Sequence, residues 1–424
     1  VVVVVIAARD AVKGDALSSL QALEQTARAL RLEDIVIFAT DDHADVGAFV
    51  DDADLVVDAV FGIGLSRPVL AGAGAAAIAA INASRAVVVS VDVPSGLFAD
   101  GQKPARDAHV VNADITVTFG EKPAHVIEHG AAHCGAVIDV DIGFARAVDE
   151  GLDVFVVDHV RLPAPDPRGF KGRFGHIGVV VGSEGTSGAA LLAAHAAQRA
   201  GAGLVTLLGS RTMPRPPELM ARDLDDVDGD DDVFGGLDAV VVGPGLSAKA
   251  ASSLRTRLRA ARQRGLRVVA DAGALGALNK GDADIWTPHP GEAARVLGTS
   301  SADVEADRLA AARAVQQQLG GVVILKGACP IVVDDTTLAI VRGHSAALAV
   351  AGAGDVLAGV VGAGLGGAFD DGNTDGDVVD VATAATWLHQ QAGRGEARGL
   401  LAGELADRVR SAVRAAIEPG SGDD

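Results

Sequence analysis

The stretch VVVGSEGTSGAALLAAHAAQRAGAGLV, Val179–Val205, decides the fold class. An apolar run of strand length meets a Gly/Ser/Thr turn, then an Ala-rich segment of helical length, then a second apolar run. Two strands joined through a helix lie parallel in one sheet, and their unbroken apolar runs mark strands covered on both faces. The same alternation spreads outward. Downstream and just upstream, strands are expected at Ile177–Val181, Leu204–Leu208, Ala239–Val242, Arg267–Ala270, Asp284–Trp286 and Val322–Lys326. A hairpin suits Pro330–Arg342, and helices suit Gly188–Ala200, Ala250–Arg264, Asp355–Leu365, Ala382–Gln391 and Glu404–Ile417. Towards the amino terminus, strands are expected at Val1–Ile6, Asp34–Ala39, Leu55–Phe61, Ala86–Val91 and Ile115–Phe119, with helices at Ala16–Leu30 and Gly74–Ala83. The class is α/β with parallel sheets. The three prolines of LPAPDPRGF, Leu162–Phe170, break this rhythm, which places a boundary within Gly151–Phe170 and gives domains at 1–150 and 163–418.

Composition narrows the function classes. The 424 residues carry 44 Asp and 12 Glu against 7 Lys and 29 Arg, a formal charge of −20 that repels nucleic-acid backbones. The Asp-rich, Lys-poor balance resembles proteins of salt-loving microbes, whose acidic surfaces stay soluble in salt; an ordinary acidic protein of a GC-rich genome is the alternative. No uncharged apolar run reaches the ~18–20 residues of a bilayer span. The opening VVVVVIAA has no basic lead-in or cleavage site and reads as a strand, not a signal peptide. Cys134 and Cys329 form no CxxC pattern and read as incidental residues of a reducing compartment. The acidic run Asp223–Asp232 reads as a solvated loop and PGSGDD as a disordered tail.

Three glycine turns in the second half follow strands and open towards helices. The Val179–Val205 turn and DAVVVGPGLS, Asp238–Ser247, are each weak signals alone, although Gly243-Pro244-Gly245 lets a backbone approach a ligand closely. VAGAGDVLAGVVGAGLGG, Val350–Gly367, is stronger. Small residues at its helix start free N–H donors where the macrodipole favours negative charge. A carboxylate at such a place, Asp355, is unfavourable beside a phosphate unless it must take a proton from a hydroxyl during phosphoryl transfer. A plain helix cap is the competing role. IWTPHPGEAARVLG, Ile285–Gly298, presents His289 between two prolines, with Glu292 entering the next helix. VVILKGACPIVV, Val322–Val333, ends a strand on Lys326, placed to meet a nucleotide or simply exposed to solvent.

In the first half, LVVDAVFGIGLSRP, Leu55–Pro68, puts Asp58 inside a strand leading to a glycine turn. A carboxylate there is either satisfied structurally or a ligand. VVVSVDVPSGLFADG, Val87–Gly101, ends a strand on Asp92, at the end of an α/β sheet where ligands bind, followed by Ser95.

Taken together, KGRFGH, the Val179–Val205 segment, PE-M, VVGPGL, TPHPGE, LKGA and GAGDVLAG closely resemble the NAD(P)H-hydrate dehydratase family, from Lys171 to about Trp387. The resemblance implies a ribokinase-like fold and ADP-dependent dehydration of the S epimer of hydrated NADH or NADPH, yielding the normal cofactor, AMP and phosphate, with Mg²⁺ assisting. It assigns Gly245, His289 and Asp355 to the hydrated nicotinamide, and Lys326, Gly327, Ala328, Cys329, Pro330 and Gly354 to the adenine nucleotide, with Asp355 catalytic. Two departures stand out: the usual GTGD or GSGD is Gly352-Ala353-Gly354-Asp355, and the usual DADAL is Asp271-Ala272-Gly273-Ala274-Leu275, one carboxylate short.

The first half, Val1–Gly143, resembles the NAD(P)H-hydrate epimerase domain, a Rossmann-like unit often fused ahead of the dehydratase. That resemblance assigns Gly62, Ile63, Gly64, Leu65, Ser66, Arg67, Pro68 and Asp92 to the hydrated nicotinamide, with Asp92 catalytic, and Asp58 and Ser95 to K⁺. The family's amino-terminal helix, strand and Asn-Asn-Gly-Gly-Asp-Gly loop have no counterpart in this sequence. The expectation is therefore that R hydrate supplied alone is cleared no faster than it epimerises spontaneously. Faster clearance shows that the loop is dispensable. The resemblance also implies a cytoplasmic homo-oligomer. A different enzyme class, a ribokinase-like small-molecule kinase with a non-catalytic first domain, shares the GAGD anion hole; TPHPGE and the preceding domain disfavour it.

Overall fold

In this computed structural model the described residues are 2–6, 12–30, 36–39, 43–143, 154–182, 185–209, 211–224, 232–343, 345–370, 377–396 and 398–417. Most of the acidic run at 223–232, and the tail, lie outside them. The chain divides into two compact units, Val1–Val148 and Asp149–Asp424.

The first unit runs β1 (Val2–Val5), α1 (Gly14–Ala29), β2 (Val36–Ala39), α2 (His43–Asp51), β3 (Leu55–Asp58), α3 (Ala73–Ala83), β4 (Val87–Val91), β5 (Ile115–Thr118), α4 (Pro123–Val126), α5 (Glu128–Cys134) and β6 (Ala136–Asp139). All its strand pairings are parallel, but β1 and β2 form a sheet of their own beside the four-stranded β3-β4-β5-β6. The expectation of strands covered on both faces is corrected here. Val56 and Val88 pack under Ile78 and Ile81 of α3, whereas Leu55, Val57 and Val87 on the opposite face are 56%, 57% and 46% exposed. Successive side chains of a strand point to opposite faces, so covering one face leaves every second residue out.

The second unit runs β7 (Phe155–Val157), β8 (His176–Val180), α6 (Ser187–Arg199), β9 (Leu204–Leu208), β10 (Met220–Arg222), β11 (Ala239–Val242), α7 (Ala248–Ser253), α8 (Arg255–Arg262), β12 (Arg267–Ala270), β13 (Ile285–Trp286), α9 (Pro290–Leu297), α10 (Ser301–Ala306), α11 (Arg308–Leu319), β14 (Val322–Leu325), β15 (Ile331–Val333), β16 (Leu338–Val341), α12 (Ala353–Ala363), α13 (Val378–Ala392) and α14 (Ala402–Ile417). Its described strands form one sheet in the order β10-β9-β8-β11-β12-β13-β14-β15-β16-β7, parallel except for β15. β8, β11, β12 and β14 are apolar and buried almost throughout, and α12 and α13 pack into the same core through residues such as Val356, Val360, Ala385 and Leu388.

Two boundaries differ from the sequence reading. The stretch read as holding the boundary supplies β7, which pairs with β16, so the second unit's fold begins before Pro163. The helix expected over Ala250–Arg264 starts earlier, at Ala248, where the Ser247 side chain accepts from the Ala250 N–H, and is broken at Leu254 into α7 and α8. No described helix is long and apolar enough to cross a membrane.

Candidate active site

In the second unit, the carboxyl ends of the parallel strands gather the polar groups. Asp271 follows β12, Thr287 follows β13 and Lys326 follows β14. Parallel neighbours in register bring such residues side by side although they are far apart in sequence. The Asp271 carboxylate, 2% exposed, accepts from Lys326 Nζ at 2.8 Å and from Thr287 Oγ1 at 2.7 Å through the same Oδ1. Lys326 Nζ also lies 3.9 Å from Glu292 Oε2. A Cβ on Gly354 would sit 3.2 Å from that Nζ, so the lysine lies directly over the GAGD turn.

α12 begins at Ala353 with Gly352 (φ +91°) as its N-cap, and no side chain caps it. Asp355 therefore lies inside the first turn, and its carboxylate does not serve as the cap. Burial and the nearby Asp271 carboxylate push its pKa up to about 6, against the opposing pull of Lys326. Lys326 shows the reverse balance. Burial disfavours its charge, but Asp271, Glu292 and Asp355 outweigh that and hold it above the ordinary lysine value. The pair is one poised base beside one firmly held cation.

His289 is the N-cap of α9, its Nδ1 accepting from the Gly291 N–H at 3.0 Å, while Glu292 Oε2 accepts from the His289 N–H at 2.9 Å. With Nδ1 accepting, Nε2 is the ring nitrogen that can donate; it lies 3.4 Å from Glu292 Oε1, and the residue is exposed. Gly327 and Ala328 are exposed, and Cys329 and Pro330 buried.

The glycine turns also pack against other parts of the chain. The Cβ atoms missing from Gly243 and Gly245 make room for the protein's own backbone. A Cβ on Gly243 would lie 1.7 Å from Asp271 O, and one on Gly245 (φ +67°) 2.3 Å from Thr186 O. Gly245 also accepts through its carbonyl from Thr186 Oγ1 at 2.8 Å. Close chain-to-chain packing beneath the cleft fixes both glycines. The same holds at Gly273, where a Cβ would stand 2.0 Å from Leu246 O. Restoring the family's acidic residue, Gly273→Asp, is therefore expected to cost about 1–3 kcal/mol by overpacking, read as a lowered midpoint in thermal unfolding. An unchanged midpoint would show that the turn relaxes freely.

Two residues that the sequence reading did not single out hold this site. His389 on α13, buried, donates from Nε2 to Ala353 O at 2.9 Å, and burial lowers its pKa to about 4, so it stays neutral and fixes the start of α12. Arg308, 1% exposed, lies under the loop after β14. Neither has a local sequence signature; both act across elements that only folding brings together.

In the first unit, Asp92 lies just beyond β4 with φ +68°, a left-handed conformation costly for a non-glycine residue and concentrated at functional sites. Its Oδ1 accepts from Lys122 Nζ at 2.6 Å and Thr118 Oγ1 at 3.0 Å. Burial raises the carboxyl's pKa, but hydrogen bonds and charge from Lys122, with the Phe119 N–H, bring it below the usual range. His125, kept neutral chiefly by burial, donates from Nε2 to Asp92 O at 2.9 Å. Lys122, one of seven lysines, was detectable by its rarity. The turn at 62–68 lies open: Gly62 and Gly64 have clear space around them, and Ile63, Ser66 and Arg67 are exposed, with Leu65 and Pro68 half-buried.

Asp58 and Ser95 do not fit a potassium site as they stand. Asp58 Oδ2 accepts from Ser90 Oγ (2.8 Å) and the Ser95 N–H (2.9 Å), and Oδ1 from Ser95 Oγ (2.6 Å) and the Val60 N–H (3.3 Å). Four donors occupy the roughly four lone-pair positions of a carboxylate, so the structural reading of Asp58 prevails. Nor does any group of three or more His, Cys, Asp or Glu among the described residues make a metal cage. Magnesium fits only as an ion carried mainly on nucleotide phosphates, its usual mode.

The NAD(P)H-hydrate dehydratase family profile matches residues 177–413, and the profile of the YjeF-related protein N-terminus matches residues 1–122. The chain is 35% identical to the bifunctional NAD(P)H-hydrate repair enzyme Nnr of Escherichia coli over 76% of its own length and 65% of that protein's. It thus spans just under two thirds of that relative. Against the Moorella thermoacetica enzyme of the same name it is 33% identical over 95% of this chain and 80% of that one. Among solved structures, the ADP/ATP-dependent NAD(P)H-hydrate dehydratase of Bacillus subtilis, co-crystallised with ATP and Mg²⁺, matches with a TM-score of 0.53 and 26% identity, covering 60% of this chain and 95% of that one. A ribokinase-like superfamily protein of Enterococcus faecalis shares the fold with a TM-score of 0.54 at 21% identity, covering 65% of this chain and all of that one. With the dehydratase profile spanning more than half its length, the chain belongs to the family of bifunctional NAD(P)H-hydrate repair enzymes.

Proposed function

We propose that the second unit dehydrates the S epimer of hydrated NADH or NADPH at the expense of ADP, releasing the reduced nucleotide, AMP and phosphate. The observation that supports this most is Asp355, a half-buried carboxylate with a pKa near 6 in the first turn of α12, close to the held cation Lys326. Hydroxide leaves the reduced ring poorly; phosphate leaves well. Asp355 takes the proton of the ring hydroxyl as its oxygen forms a bond to the outer phosphorus of ADP and the bond to AMP breaks. The N–H groups of Gly354 and Asp355 in the first turn of α12 and the Lys326 ammonium stabilise the charge on the transferring phosphoryl group. Magnesium on the nucleotide would neutralise part of that charge. The ring nitrogen's lone pair then expels phosphate from the adjacent carbon, and loss of a proton from the next carbon restores the double bond.

The decisive assay incubates the protein with hydrated NADH, Mg²⁺ and either ADP or ATP, and follows recovery of dihydronicotinamide absorbance. No recovery with either nucleotide overturns the reading. The pH profile is a second check. Asp355 must be ionised to accept the proton, and its carboxyl is protonated below about 6, so kcat/KM is expected to fall tenfold per pH unit below that point. A flat profile from pH 5 to 8 would remove Asp355 as the base.

In the first unit, Asp92 and Lys122 supply the acid/base pair that interconversion of R and S hydrates requires. Clearance of R hydrate alone, measured against its spontaneous rate, decides whether that pair suffices.

A further inference from the structure

Arg308 begins α11 and sends a guanidinium, 1% exposed, beneath the loop that follows β14. Its Nη2 donates to Lys326 O and to Cys329 O, both at 3.2 Å, and its Nη1 lies 3.8 Å from Glu305 Oε2. One nitrogen thus ties the two ends of a four-residue loop, while a carboxylate near the end of α10 steadies the group. Gly327 lies against it so closely that a Cβ there would come within 2.1 Å of Nη1 and 2.2 Å of Nη2. Burying a guanidinium is expensive without strong compensation, and main-chain carbonyls of one short loop are an unusual use of it.

The clamp has a directional consequence. In a trans peptide the carbonyl oxygen and the following N–H point to opposite sides. Drawing Lys326 O inward to Arg308 turns the Gly327 N–H outward, where Gly327 and Ala328 are exposed. The second clamped carbonyl precedes Pro330, which has no N–H. The clamp therefore aims one donor, that of Gly327, the residue after Lys326, away from the core.

We propose that Arg308 is a positioning residue for nucleotide binding: it fixes the Lys326–Cys329 backbone so that the Gly327 N–H and the Lys326 ammonium face the phosphates of ADP together. The inference rests on the dehydratase reading above. Arg308 does not touch the nucleotide; it acts through the loop, so its loss weakens the ADP complex without altering the chemistry at Asp355.

The test compares wild type with Arg308→Lys, Glu305→Gln and Gly327→Ala, measuring kcat, KM for ADP, KM for hydrated NADH, and ADP binding by calorimetry. Arg308→Lys keeps the charge but loses the fork, and is expected to raise both KM and Kd for ADP about tenfold, with kcat and the hydrate KM within about threefold. Gly327→Ala, which pushes a methyl into the guanidinium, should match it. Glu305→Gln, a change at a partly exposed side chain, should raise ADP KM about threefold and remains informative if Arg308→Lys does not fold. ADP affinity unchanged in the folded variants, or kcat falling while ADP KM stays constant, overturns the proposal. Failure of the underlying reading looks different: wild type itself then shows no nucleotide-dependent recovery of hydrated NADH.

Discussion

Asp355→Asn is expected to reduce nucleotide-dependent dehydration about a thousandfold, within the range that a positioned general base contributes, and to leave the protein at least as stable at pH 7–8. The two halves of that expectation share one cause. Burial and the Asp271 carboxylate raise the Asp355 pKa to about 6, which means that the folded protein disfavours the ionised form. A raised carboxyl pKa contributes stability at low pH and loses it as pH rises through the folded value. A neutral amide of the same shape removes the penalty along with the base. Thermal unfolding at pH 7.5 beside steady-state rates checks both. Near-normal turnover would take Asp355 out of the mechanism, and a clearly lowered midpoint would make it a structural residue.

Lys326→Met should be nearly as damaging, and for two separable reasons. It removes the cation that the site offers to a phosphoryl group. It also strands Asp271, almost fully buried and 2.8 Å from the lysine, with only Thr287 Oγ1 left among the two side-chain donors to its Oδ1. Breaking a buried pair costs about 3–5 kcal/mol, and partial exposure of the lysine places this one at about the lower bound. Catalytic efficiency with ADP should drop at least about a hundredfold. Because Lys326 lowers the Asp355 pKa, any residual activity should show its acid limb shifted above the wild-type position. An acid limb unmoved in Lys326→Met would mean that lysine and base are electrostatically independent, contrary to the arrangement around Gly354.

Local segments were well marked in the sequence where strands are buried throughout. Ala239–Val242, Arg267–Ala270 and Leu204–Leu208 coincide with the observed strands because short runs dominated by Val, Leu and Ala, buried on both faces, have few other places to go. Legibility failed at short edge elements. β7 and β10 are three residues each, and β7 is a strand only because β16 lies beside it. α7 and α8 read as one helix because the break at Leu254 carries no side-chain cap to mark it. In the first unit, continuous valine runs suggested two covered faces, yet such runs report an intrinsic preference for strand and not the presence of a covering helix. The exposed Leu55 and Val57 show the difference.

The candidate site divides in the same way. His289, Lys326, Gly354 and Asp355 stand in short motifs whose residue types carry chemistry by themselves. By contrast, the sequence offered Asp58 as either ligand or structural group, and only the four donors around its carboxylate chose between them. Gly243 and Gly245, read as letting a backbone approach a ligand, also make room for contacts between chain segments.

The chain's order of apolar runs and glycine turns determined an α/β architecture in two parts, and the residue types at strand ends are what the proposed phosphoryl chemistry with a carboxylate base starts from. Only the tertiary structure decided what surrounds that carboxylate. Asp271 and Lys326 are 55 positions apart, and His389 reaches Ala353 across 36. Proton affinity and loop shape depend on distances of a few ångströms between such groups, and parallel strands with helical crossovers create those distances only when the whole sheet has formed.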